Sequence, residues 1–184
     1  SEKELDYWTA QNKKQPILHF EDSVLPIVEA GRTQLVKSDI ELANGVQLLP
    51  TPGHTPDHYS VRLASAGKEA IVTGDLIHSP LQCACTHLHV RPDVDPAQGL
   101  ATRNAFMDKY AETDTLIAAT HFPSPSTGHF VRAGDAFHNH LSSDEQRDER
   151  REWLKDLFDA AGSDDPILSE QKLVECVARG VVMP

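Results

Sequence analysis

Apolar positions along this chain follow two periods, and the switches between them mark its elements. Residues 2–13 place Leu5, Trp8 and Thr9 on one side of a helix. A second helix is expected over residues 22–31, where Asp22 or Ser23 offers a cap and Gly31 a stop. Short apolar runs flanked by Gly, Asn and Asp follow at 33–36 and 46–50 and predict strands, the second running straight into a Pro-Gly turn. Residues 59–63 alternate polar and apolar side chains, 64–68 reads as a turn, and 70–73 is the unbroken apolar run of a buried strand.

Past Asp95-Pro96 a helix is predicted to about residue 111, with proline in its first turn and Leu100, Asn104, Met107 and Ala111 near one face. Another buried strand covers 116–120. Residues 128–132 and 136–140 read as a closing hairpin around Ala133-Gly134-Asp135. Strand, helix and strand in that order predict an α/β layer with helices outside a sheet. From Ser142 the pattern changes. Ser143 and Gln146 have capping-box spacing, and Trp153, Leu154, Leu157 and Phe158 form a helical stripe ending near Gly162. A second short helix is expected over 170–179, stopped by Gly180. Residues 1–141 therefore read as one domain and 142–184 as an appended helical extension without ligand chemistry.

The 184 residues are 39% hydrophobic and 24% charged, enough for one sizeable core. A net charge of −11, with 17 basic residues spread thinly, argues against a nucleic-acid partner. Much of the acidity lies in residues 144–165, where carboxylates interleave with arginines as on a solvated helix face. No run approaches the roughly 20 apolar residues of a membrane span, so no membrane partner is expected, and no signal peptide is visible in these residues. Cys83, Cys85 and Cys176 make no disulfide framework, which points to a reducing, cytoplasmic location.

The chemistry sits in three loops, each just past an apolar run: Thr51-Pro52-Gly53-His54, Gly74-Asp75 and Thr120-His121. Imidazole and carboxylate are the expected ligands of a hydrolytic zinc or iron centre. Singly, each loop has a bland reading: a turn histidine in water, or an aspartate capping a turn. The longer string Thr51-Pro52-Gly53-His54-Thr55-Pro56-Asp57-His58 is more specific, with His58 read as a hydrogen-bonding support of the turn. Gly74 permits close backbone approach, and Pro123 fixes the chain leaving His121. His78 reads as a pocket residue and Phe122 as an apolar pocket wall. His129, His138 and His140 read as surface residues of the closing hairpin. If extended, Cys83, Cys85, His87 and His89 would share one face and could hold zinc by themselves; a strand face near the pocket is the other reading.

In this order the three loops resemble the second half of the metallo-β-lactamase fold, over residues 1–141. The resemblance implies an α/β protein, the C-terminal half of a four-layer αβ/βα sandwich, with His54, Asp75 and His121 as metal ligands. It further implies two divalent ions, zinc first and iron or manganese as alternatives, bridged by Asp75 as the catalytic carboxylate. A metal-activated hydroxide would be the nucleophile, with His78 and Phe122 on the substrate side. Gly74-Asp75-Leu76-Ile77-His78-Ser79-Pro80, the helix carrying Thr102-Arg103, and Thr120-His121-Phe122-Pro123 look most like the branch containing methyl parathion hydrolase and related lactonases. That branch implies a small-molecule ester, lactone or phosphotriester substrate. Two departures stand out. Asp57 replaces a usual Gly, and no His-x-His-x-Asp-His segment precedes Thr51, where His19 is the one earlier histidine. Thr86-His87-Leu88-His89 opens like that segment, but it comes after Asp75 and continues into Arg91-Pro92. The expectation is a hydrolase fragment inactive alone, with a missing N-terminal half or further copies of itself in a homo-oligomer as partner. The alternatives are a non-catalytic interaction module and an enzyme completed in trans.

Overall fold

A computed structural model of the chain describes residues 1–37, 40–124 and 126–141, so the helices expected in 142–184 lie outside the described residues. Seven strands form one sheet in chain order: β1 (Ile40–Ala43), β2 (Val46–Pro50), β3 (Tyr59–Ser65), β4 (Lys68–Val72), β5 (Leu116–Ala118), β6 (Thr127–Ala133) and β7 (Ala136–Leu141). Neighbours run antiparallel except β4 and β5, which are parallel. A parallel pair requires a crossover. It is made by the long connection that contains two helices, α4 (Leu81–Ala84) and α5 (Pro96–Tyr110).

The side-chain period of two sends alternate residues of the central strands to opposite faces. Ile71, Ile117 and Phe130 join Phe106, Met107 and Tyr110 of α5 in the larger core. Ala70 and Leu116 join Val46 and Leu63 in a second cluster on the opposite face. Strands apolar on both sides therefore read as unbroken apolar runs. Between β3 and β4 the turn residues Ala66 and Gly67 both have positive φ, 49° and 74°, the two-residue hairpin that matches strand twist.

The helix α1 (Glu2–Lys14) matches its expected span; Ser1 caps it by accepting from Glu4 N at 3.1 Å, with acids in the first turn and lysines in the last. The single helix expected over 22–31 is instead two, α2 (Leu18–Ser23) and α3 (Leu25–Glu29). Pro26, with no N–H to give, is tolerated only in a first turn and restarts the helix there. Ser23 therefore ends α2 instead of capping a helix. The strand expected at 33–36 is irregular chain: the Val36 carbonyl accepts from Glu2 N at 3.0 Å, so α1 and not a ladder holds this segment. Strand β1, not anticipated, turns into β2 through Asn44-Gly45.

The Cys83 to His89 stretch is not extended. Ser79 and Pro80 start α4, Cys83 is buried in the larger core, and His87 and His89 are exposed beyond it. Helical winding breaks the alternation, so the four residues do not share a face and both readings of them, zinc site and strand face, fail. Among the described residues no helix is long and apolar enough to cross a membrane.

Candidate metal centre

Strand register brings the three loops to one edge of the sheet. Val72 of β4 pairs with Ala118 of β5 in parallel. Three residues further along each strand lie Asp75 and His121, and His121 Nε2 is 3.0 Å from Asp75 Oδ1. Because β3 runs antiparallel to both β2 and β4, the loop joining Pro50 to Tyr59 opens at that same edge. This loop delivers His54, whose Nε2 is 3.3 Å from Asp75 Oδ2.

The His54 turn is held on both flanks. At Gly53 φ is +134°, and a Cβ there would fall 2.2 Å from the backbone of Gly99 in α5, so only glycine permits this contact. Thr102 Oγ1 donates to the Pro52 carbonyl at 2.7 Å, while Val94 N and Asp95 N donate to the carbonyls of His54 and Gly53, both at 3.0 Å. On the other flank Asp57 N donates to Glu4 Oε1 at 2.6 Å and Lys3 Nζ to the Pro56 carbonyl at 2.8 Å. Trp8 Nε1 steadies Glu4 from within α1 at 2.8 Å. Asp57 has no positive φ and needs no glycine in its place; its backbone N–H is one of the groups by which α1 docks, beside the Pro56 carbonyl.

His58 supports the site as the sequence suggests. Asp75 N donates to His58 Nε2 at 3.1 Å, which puts the ring proton on Nδ1, 2.8 Å from Thr51 Oγ1. Thr51 Oγ1 lies 3.1 Å from Ser60 Oγ, and Ser60 donates to the Thr73 carbonyl at 3.0 Å. Every donor in this buried chain has an acceptor, and the Thr51 hydroxyl also lies 3.5 Å from the His58 carbonyl. Burial pushes the His58 imidazole below its ordinary range, against the opposing pull of Asp75, and so favours the neutral ring the chain requires.

His78 joins the cluster. Its ring stacks on His121 at 4.6 Å between centroids and 8° between planes, and lies 5.0 Å from the His54 ring. His54, Asp75 and His78 each offer a ligand atom within 4.8 Å of the other two. Burial, then the neighbouring His121 and His54, holds His78 below the usual imidazole range. Gln82 Oε1 accepts from His78 N at 2.8 Å and fixes the backbone there. Phe122 is placed in the larger core. His138 is exposed and His129 half-buried, its Nδ1 3.0 Å from the Thr115 carbonyl.

These donors fit a divalent cation. Two ligands about 2.0–2.1 Å from one tetrahedral ion stand about 3.3 Å apart, the spacing of His54 Nε2 and Asp75 Oδ2. Each Asp75 oxygen faces a different imidazole, as a bridging carboxylate would. Sequence reasoning missed Asp93, buried with Oδ1 3.1 Å from His54 Nδ1. It stands two residues before the helix-capping Asp95, and no spacing rule separates the two.

No protein-family model and no curated protein matches the chain. Among solved structures it is similar to a hydrolase, AbOPH, in the beta lactamase superfamily, at 26% identity and a TM-score of 0.60, covering 73% of this chain and 47% of that one. It is also similar to AidC, described as a dizinc quorum-quenching lactonase with a bound product, at 21% identity and a TM-score of 0.61, covering 72% and 47%. The chain spans about half the length of each.

Proposed function

We propose that this chain, which has the metallo-β-lactamase fold, is the part of a metal-dependent hydrolase that holds two divalent cations through His54, Asp75 and His121, zinc being the ion best suited to the set. The carrying observation is the divergent carboxylate of Asp75, one oxygen toward each of two imidazoles. Such cations supply a low-pKa water and polarise the oxygen of a carbonyl or phosphoryl group. The chain's own residues fix the rest. His58 holds the Asp75 backbone, and α1 and α5 clamp the His54 turn between them. His78, stacked on His121 beside the cluster, is assigned the substrate side; Phe122, read from the sequence as a pocket wall, is buried in the larger core and backs the His121 loop from within.

The substrate class proposed is a small-molecule ester, lactone or phosphotriester, which the likeness to a superfamily hydrolase supports. Two imidazoles and a shared carboxylate fall short of the donors a two-metal centre needs. The 184 residues alone are therefore expected to bind metal without turning over substrate, and turnover is expected once further ligands are supplied. Metal per chain, measured on wild type, Asp75→Ala and His121→Ala, is the test. Near-stoichiometric metal in wild type that both variants lose supports the reading, and a metal-free wild type prepared in excess zinc overturns it.

A further inference from the structure

We propose that Asp93 is a positioning residue, whose buried carboxylate holds the Nδ1 proton of His54 and so commits Nε2 to the cation. The inference rests on His54 being a ligand. An imidazole has two nitrogens, and its use as a ligand depends on which one keeps a proton. His54 stands between two carboxylates: Asp75 Oδ2 lies 3.3 Å from Nε2 and Asp93 Oδ1 lies 3.1 Å from Nδ1. They differ in setting. The Asp75 side chain is 32% exposed and that of Asp93 only 2%. Asp93 is the one that no solvent competes with.

Its placement is built from the backbone. Val94 N and Asp95 N zip the segment after Asp93 to the carbonyls of His54 and Gly53, so acceptor and imidazole arrive together. Asp95 then caps α5 through Gln98 N at 3.0 Å, and the first turn of that helix brings Gly99 over the carboxylate. A Cβ at position 99 would lie 2.8 Å from Asp93 Oδ2. The fully buried Arg103 attracts Asp93 across the same space and donates to the Leu88 carbonyl, anchoring the loop that leads to Asp93. Oδ2 itself has no hydrogen-bond partner among the described residues. A buried carboxylate with one free oxygen is costly to keep for packing alone, because leucine would fill the space without that desolvation cost. Orientation of His54 accounts for it.

The test combines ring-nitrogen NMR of histidine-labelled protein with Zn2+ affinity measured against a chromophoric chelator, on wild type, Asp93→Leu and Asp93→Asn. Wild type should show a protected His54 Nδ1 proton, with and without Zn2+. Asp93→Leu should lose that protection and roughly 10- to 100-fold in Zn2+ affinity. Asp93→Asn, which keeps an oxygen acceptor in the same place, should recover part of both, while urea unfolding of the metal-free variants does not follow that order. An unprotonated Nδ1 in wild type, or a protected proton that survives in Asp93→Leu, overturns the proposal. Protection that depends on Asp93 in a wild type that takes up no Zn2+ would uphold the orienting contact and sink the metal reading instead.

Discussion

The Asp75 backbone hangs on the unprotonated Nε2 of His58, which leaves the ring proton on Nδ1 facing the chain through Thr51 and Ser60 to the Thr73 carbonyl. Replacing His58 by alanine strands the Asp75 N–H and takes from the Thr51 hydroxyl the donor it accepts from. The expected cost is about 1–3 kcal/mol, read from urea unfolding of metal-free protein. A second residue-scale prediction concerns Cys83. Burial pushes its thiol up to about 12, against a small opposing pull from Arg103. The native thiol should resist iodoacetamide at mildly alkaline pH while the same residue reacts in urea, as peptide mapping would show. Because the folded state holds this proton more tightly than the unfolded chain, its contribution is full below the ordinary thiol value of 9.0 and declines as pH rises toward 12. Cys83→Ala should flatten that alkaline decline. At this scale the sequence disclosed donor types and little else: His54, Asp75 and His121 follow from motif strings, whereas Asp93 reaches the site through backbone pairing of segments far apart in the chain, and Glu4 through its carboxylate on Asp57 N.

The elements were legible where periodicity or punctuation was strong. The chain shows α1, α5 and the hairpins β3–β4 and β6–β7 plainly, because caps, turn residues and alternation all agree there. It misleads at 22–31, where Pro26 divides what looks like one helix, and at 81–89, where a four-residue helix cannot be told from a strand by alternation alone. The contact of the Gly53 turn with α5 invites a direct test. Gly53→Ala puts a methyl 2.2 Å from the Gly99 backbone at a φ that side chains avoid, and should cost at least about 2 kcal/mol in urea unfolding while lowering metal uptake. Amide exchange should rank the strands as well. Protection is expected to be highest in β4 and β5, apolar on both faces, and lowest in β1, which lies at the sheet edge with its central residues exposed.

For the whole molecule, metal and stability should move together. A cation bound only by the folded chain stabilises it by about 2.7 kcal/mol at a hundredfold excess over its Kd, so zinc should raise Tm, a chelator should reverse the rise, and Asp75→Ala should abolish both effects. The sequence could not show that a sheet built almost wholly from antiparallel neighbours holds one parallel pair, since register is a long-range property. Yet that pair decides how the site is made. Asp75 and His121 face each other because each lies three steps past a paired position on adjacent strands, whatever the length of chain between them. Residues could be added to or removed from the crossover between α4 and the Asp93 segment without moving one ligand against the other. The arrangement separates the part of the gene that can drift from the part that must keep its measure.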